Sequence, residues 1–134
     1  MSAKSDYLEN KILDHTLGNT AYSAPATIYV ALYTAAPNDA GGGTEVSGYA
    51  YARKSVTNNT TNWPNASGGS KSNGADIEFA AASGGNWGTV THFALFDAAT
   101  AGNMLYYGAL TSSKTINDGD QARFATGALT ITEA

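Results

Sequence analysis

Thr27-Ile28-Tyr29-Val30-Ala31-Leu32-Tyr33 is the stretch of the sequence that decides the fold. Ile28, Val30 and Leu32 alternate with threonine, alanine and tyrosine side chains. Side chains two residues apart lie on the same face of a β-strand, so this alternation predicts a strand with one aliphatic face. β-Branched and aromatic residues, which favour strands, supply most of its length. The segment therefore predicts a β-rich fold built around one well-formed strand.

Similar patterns recur along the chain, separated by turns rich in glycine and asparagine. They cover residues 46–56, 76–80, 89–97, 104–110 and 121–132. The pattern at 89–97 is apolar on both faces, which predicts a strand that is covered on both sides. In the last pattern the apolar positions change from even to odd numbers, which predicts a β-bulge at Gly127. About six such strands predict an antiparallel β-sandwich or a small barrel.

One α-helix is predicted at the N-terminal end, over residues 5–17. Its large apolar side chains recur at helical spacing and fall on one face. They are Leu8, Ile12, Leu13 and Leu17. Ser5 is a suitable N-cap residue for this helix. The apolar face must be buried, either on the protein's own sheet or against a neighbouring chain.

The whole chain, residues 1–134, is predicted to be a single domain. The helix is followed by a β domain over 27–132, with no repeat or linker between them. Residues 57–75 are almost entirely asparagine, threonine, serine and glycine, interrupted by Trp63. An irregular stretch of this length is uncommon inside a domain unless it has a function or is disordered. We expect a long loop that is mobile in the isolated protein.

The acidic composition argues against several classes of partner. The net charge is −4 and the pI is near 4.8, so the chain lacks a basic surface for nucleic-acid phosphates or anionic membranes. No stretch reaches the roughly 20 apolar residues of a membrane span, and the N-terminus lacks a signal-peptide pattern. Cysteine is absent, which excludes disulfides and thiolate metal sites. We expect an unexported protein without nucleic-acid or membrane partners.

Residues suited to catalysis are few. The two histidines are His15, near the predicted end of the helix, and His92, within a strand pattern. A histidine is favoured at a helix C-terminus by the helix dipole, and one in a strand is more often hydrogen-bonded than catalytic. Asp76 and Glu78 share a strand face, which is typical of solvent-facing acids. The sequence therefore predicts no enzyme activity, no catalytic residue, no cofactor and no metal site.

Surface contact is the chemistry that remains. Aromatic side chains with asparagine and threonine nearby are suited to gripping a protein or stacking on a sugar. Together with the helix stripe they give the candidate partner contacts. These are Leu8, Ile12, Leu13, Leu17, Tyr49, Tyr51, Trp63 and Trp87.

Several segments in combination resemble small virion structural proteins of tailed bacteriophages and prophages. They are YLENKILDH at 7–15, the strand at 27–34 with Pro37, GGGTEVSG at 41–48, WGTVTHFALFDA at 87–98 and GNMLYYG at 102–108. Together they extend over most of the chain. The resemblance implies a component of the phage particle, on the head or on the tail, made in the bacterial cytoplasm and incorporated into the virion.

The resemblance and the composition favour a capsid decoration, or cement, protein. Such a protein would bridge subunits of the major capsid protein and associate with copies of itself as a symmetric homo-oligomer, for example a trimer. The alternative is a tail-fibre or adsorption protein that binds a host-surface glycan through Trp63, Trp87 and the face of Tyr49 and Tyr51. A sugar binder needs an exposed aromatic platform, whereas a cement protein buries these aromatics against another chain.

Overall fold

The described part of the chain, residues 2–133 of a computed structural model, forms one helix and ten strands. The helix is α1 (Asp6–Thr16). The strands are β1 (Ser2–Lys4), β2 (Thr27–Ala35), β3 (Thr44–Glu45), β4 (Lys54–Thr57), β5 (Ser70–Ser72), β6 (Ile77–Glu78), β7 (Gly88–Phe96), β8 (Met104–Ile116), β9 (Arg123–Phe124) and β10 (Thr130–Thr132). The prediction of a mostly β fold with one N-terminal helix is confirmed.

Six of the strands form one antiparallel sheet. Its order is β1, β8, β7, β2 and β3, and β4 also pairs with β2. On one side β2 pairs with β7, with Val30 opposite Leu95. On the other side β4 pairs with the first half of β2, and β3 pairs with its last residues. β2, which contains the segment 27–33, is therefore an interior strand of the sheet and is hydrogen-bonded along both edges.

Alternate residues of β2 and β7 are buried on opposite faces of this sheet. Val30, Leu32 and Leu95 belong to the larger hydrophobic core. Ala31 and Ala94 belong to a smaller cluster on the other face. The prediction that the pattern at 89–97 is covered on both sides is confirmed, because both sets of side chains are buried.

Two short ribbons cover the face that carries the larger core. β5 pairs with β10, and β6 pairs with β9, both antiparallel. Ile131 and Ile77 bring these ribbons into the larger core, and the ring of Phe124 lies 6.4 Å from that of Phe93 in the main sheet. The arrangement is two-layered. The strands among residues 2–133 do not close into a barrel, so that alternative is wrong.

Two of the predicted strands differ from the patterns that predicted them. Only the last three residues of the pattern at 46–56 form a strand, in β4, because Tyr49 and Ala50 have φ of 52° and 68°, values that a strand cannot contain. The pattern at 121–132 is broken by a turn around Gly127, where φ is 80°. That turn joins β9 to β10, which pair with different partners. The apolar positions change from even to odd numbers because the chain passes from the β6–β9 ribbon to the β5–β10 ribbon at this turn. The predicted bulge at Gly127 is wrong.

The segment predicted as a structureless loop over 57–75 is folded against the domain. It contains β5, and it carries a hydrogen-bonded turn in which the Asn59 carboxamide oxygen accepts from the backbone N–H of Asn62 at 2.9 Å. At Gly74 the chain passes so close to Thr61 that a Cβ would lie 2.2 Å from the Thr61 carbonyl oxygen, so only glycine fits there.

Asn73 joins this segment to the C-terminal part of the chain. It is 3% exposed. Its Nδ2 donates to the carbonyls of Ala75 at 2.8 Å and Ala125 at 3.0 Å, and its Oδ1 accepts from the N–H of Leu129 at 2.9 Å. The carboxamide thereby satisfies three backbone groups that lie between the ribbons.

We predict that Asn73→Ala lowers the free energy of unfolding by about 3 kcal/mol, because it leaves these buried backbone groups without partners. Urea denaturation measures the change. Asn65→Ala, an exposed asparagine in the same segment, is the control and is expected to change stability by less than about 0.5 kcal/mol. Equal, small effects of the two substitutions would show that Asn73 does not anchor the segment.

Candidate protein-contact site

Exposure of the large apolar side chains rises along helix α1. Leu8 is 4% exposed and lies in the larger core, whereas Ile12 is 39%, Leu13 55% and Leu17 74% exposed. The predicted apolar face exists, but only its first residue is buried. Of the four exposed large hydrophobic residues in the part of the chain that the structure describes, three lie on this helix and its cap. The fourth is Tyr49.

The N-terminal end of α1 is fastened to β8, and this sets the direction of the helix. The Ser5 N–H donates to the carbonyl of Leu105 at 2.9 Å. The Ser5 hydroxyl caps the helix by accepting from the N–H of Leu8 at 3.3 Å, and it donates to the carbonyl of Met104. The C-terminal end has no comparable bond to the sheet among residues 2–133. The helix is therefore fixed at one end and presents its other end outward.

An apolar cleft of about 330 Å³ lies beside the helix. Its walls come from α1, the main sheet and the segment before β5. They include Leu8, Ile12, Trp63, Leu105 and Ile131. Trp63 is 5% exposed, and its indole N–H has no hydrogen-bond acceptor among the described residues. The structure thus brings three of the predicted contact residues, Leu8, Ile12 and Trp63, to one cleft.

Another group of predicted contact residues lies inside the protein's own core. Trp87 is 6% exposed, and its ring packs edge-on against that of Tyr51 at 5.3 Å. The Trp87 indole N–H donates to the carbonyl of Tyr49 at 2.9 Å. Trp63 and Trp87 are both buried because the segments that carry them fold onto the sheet, so neither offers the exposed platform that a sugar binder needs. Only Tyr49 presents a mostly exposed ring.

A partly buried ion pair that the sequence analysis missed holds the opposite face of the sheet. Arg53 is bidentate to Glu45, with Nε and Nη2 each 2.9 Å from a carboxylate oxygen. The guanidinium lies 3.6 Å from the ring centroid of Phe96. The Tyr51 hydroxyl donates to Glu45 at 2.7 Å and accepts from the N–H of Leu32 at 3.0 Å. These bonds tie β2 and β3 to the connection before β4.

The surroundings shift the pKa values of this group. Burial raises the pKa of Tyr51, and its hydrogen bond to Glu45 raises it further. Burial alone would lower the pKa of Arg53, but the hydrogen bonds and charge of Glu45 raise it above its ordinary value. Arg53 therefore stays charged beside an uncharged Tyr51. One feature of the sequence could have pointed to this ion pair. Charged residues are scarce, with only seven Lys and Arg in 134 residues.

A family model described as Podophage GP4 fiber I protein gp80 matches residues 3–132. The chain belongs to this family. The match extends over nearly the whole chain and confirms the resemblance to tailed-phage virion proteins. This chain is therefore a phage virion structural protein. A search of curated proteins found no match.

The described helix of this fibre-family protein is not long and apolar enough to cross a membrane. Within residues 2–133 no group of three or more histidines and acids is arranged to hold a metal ion.

The ion pair of Arg53 gives a test of how this family member is held together. We predict that Arg53→Lys lowers the free energy of unfolding by about 2 kcal/mol, because lysine keeps the charge but cannot replace the bidentate hydrogen bonds or the stacking on Phe96. Urea denaturation measures the change. Arg123→Lys is the control, since Arg123 is half-exposed beside Asp76, and its expected loss is below about 1 kcal/mol. A small loss at Arg53 would contradict a structural role for the pair.

Glu133, which lines the cleft, should make the free energy of unfolding depend on pH. Burial alone would raise the pKa of Glu133, but hydrogen bonds from Lys4 and Tyr106 lower it below its ordinary value. A carboxylate with a lowered pKa in the folded state stabilises that state above its unfolded pKa, about 4.3, and loses this effect as the pH falls through the folded pKa.

We therefore expect wild type to be more stable than Glu133→Gln at neutral pH, and the difference to shrink as the pH falls below about 4. Chemical denaturation at a series of pH values measures this. In a Lys4→Gln background the pH-dependent part of the difference should be smaller. A difference that is constant across the acid range would rule out the role given to Glu133.

Proposed function

We propose that this chain is a structural subunit of the fibre of a podophage particle, held against a neighbouring protein chain by the exposed apolar end of helix α1. The description of the family as a podophage fibre protein supports the position in the fibre. The contact through the helix is supported by the exposure of Ile12, Leu13 and Leu17 on a helix whose other end is fixed.

Burial of Leu13 and Leu17 supplies the energy of this contact. Burial of a fully exposed leucine side chain contributes about 1.5 to 3 kcal/mol. Leu13 and Leu17 are 55% and 74% exposed, so covering both contributes about 2 to 4 kcal/mol for each contact. Such a contact is weak alone, but repeated copies along a particle strengthen attachment through multivalency. The proposal needs no catalytic step and no cofactor.

The geometry does not favour glycan binding by the aromatic residues that the sequence suggested. A sugar platform needs exposed ring faces, and Trp63 and Trp87 are both buried in the domain. Attachment as cement on the major capsid protein uses the same kind of apolar contact as attachment in a fibre. The family's description is what favours the fibre, and a position on the head is an outcome that the experiment distinguishes.

Cryo-electron microscopy of intact phage particles tests this proposal. We expect density for the chain at the fibres, and at least a tenfold lower occupancy in particles that carry Leu13→Ser with Leu17→Ser. The matched control is Lys11→Ser with Asp14→Ser, which changes two exposed polar residues of the same helix and keeps the net charge. It should assemble as wild type does.

Two results would contradict parts of the proposal. Copies spread over the head lattice would overturn the assignment to the fibre and support the cement function. Full occupancy of the Leu13 and Leu17 double variant would overturn the contact through the helix.

A further inference from the structure

Helix α1 carries a row of exposed side chains that begins with two acids and ends with two leucines. Asp6, Glu9, Leu13 and Leu17 follow one another at intervals of three or four residues, which places them along one side of the helix. All four are exposed. We call these residues the helix row. The leucines are the contact surface of the proposed function, and the two acids extend this surface by about two turns toward the N-terminal end of the helix.

A third acidic residue, Asp39, adjoins the acidic end of the helix row. The Asp6 N–H donates to the Asp39 carbonyl at 2.9 Å, and the Tyr107 hydroxyl donates to the Asp39 carboxylate. This second hydrogen bond, burial, and the charges of Asp39 and of both acids of the row raise the pKa of Tyr107 to about 12. The three carboxylates therefore lie close enough to act on one hydroxyl, and they form a single acidic patch.

A polar cleft of about 480 Å³ lies beside this acidic patch, and Asp6, Asp39 and Tyr33 are among the residues that line it. Tyr33 is 5% exposed, and its hydroxyl forms no hydrogen bond with the described part of the chain. The hydroxyl is not sealed off, because the Trp63 indole nitrogen is the one unpaired polar side-chain atom among residues 2–133 that solvent does not reach. A phenol oxygen accepts hydrogen bonds from ammonium and guanidinium groups.

No cation within residues 2–133 balances the acidic patch. None of its three carboxylates forms an ion pair there. Arg53 also lines the cleft, but its charge is matched by Glu45. The positive end of the helix dipole favours acids in the first turn, but it amounts to only about half an elementary charge. The patch and the Tyr33 hydroxyl therefore suit a cation that comes from another chain.

We propose that the helix row docks on a basic surface of a different protein, and that a lysine or arginine of this partner enters the polar cleft. Its cation pairs with Asp6 and Asp39 and donates to the Tyr33 hydroxyl. The leucines of the row pack on apolar surface beside that residue. The inference rests on the proposed function and names the chemistry of its partner. A second copy fits less well, because this chain is itself acidic, with a net charge of −4.

Competition between wild type and variants during particle assembly tests the proposal. In cells that make both chains in equal amounts, mass spectrometry of the purified particles gives the ratio in which they are incorporated. The acid variant, Asp6→Asn with Glu9→Gln, should be incorporated about fivefold less than wild type, because it removes two of the three charges that attract the partner. The control, Asp14→Asn with Glu78→Gln, removes the same charge from exposed positions outside the row and should equal wild type.

Two further variants separate pairing with a cation from a general loss of charge. Glu9→Lys should be incorporated less than Glu9→Gln, because it repels a basic partner. Tyr33→Phe removes the free hydroxyl but breaks no hydrogen bond within the described part of the chain. It should lower incorporation about threefold without lowering the stability of the free protein in urea denaturation.

The outcomes separate this inference from the proposed function. Equal incorporation of the acid variant and its control, or normal incorporation of Glu9→Lys, would overturn the basic partner and leave the contact through the leucines in place. Sedimentation velocity of the purified chains tests the second copy. Self-association that is lost in the acid variant would show that another copy, not a different protein, meets the row. The proposed function itself fails through a different variant, if Leu13→Ser with Leu17→Ser enters particles normally.

Discussion

β2 has to be buried on both of its faces, and this requirement determines how the rest of the chain is arranged. Val30 and Leu32 on one face need an apolar layer, which the two ribbons and the first turn of α1 supply. The other face carries Ala31 and Tyr33, and it is covered by a smaller cluster. Because few large apolar residues are available, each segment that crosses these faces contributes one or two of them.

The smaller cluster depends on a charged group for its cover. Arg53 lies over the ring of Phe96 and also donates to the carbonyls of Ala98 and Ala101, each at 2.9 Å. A guanidinium in this position is stabilised because Glu45 neutralises it and, together with these two carbonyls, accepts its hydrogen bonds. The ion pair therefore fixes two connections that contain no regular structure. In this domain the loops are ordered by polar bonds, while the strands are ordered by burial.

Sequence periodicity predicted the elements whose structure is decided by nearby residues. The alternation at 27–33 and the helical spacing from Leu8 to Leu17 are local patterns, and both elements lie where the patterns placed them. The order of the segment over 57–75 depends on Asn73, which bonds to residues more than 50 positions away. No local pattern records such a bond. The burial of Trp63 likewise depends on contacts with residues that are distant in the sequence.

The exposed end of α1 shows why a helical stripe does not by itself reveal what it contacts. Leu8 and Leu17 belong to the same predicted face, but within residues 2–133 the helix is bonded to the sheet at Ser5, so exposure increases with distance from that bond. A monomer with so few large apolar residues would gain most by packing all of them inside. Three of them lie instead at the free end of its helix. This placement is better suited to a chain that completes its burial in an assembly than to one that functions alone.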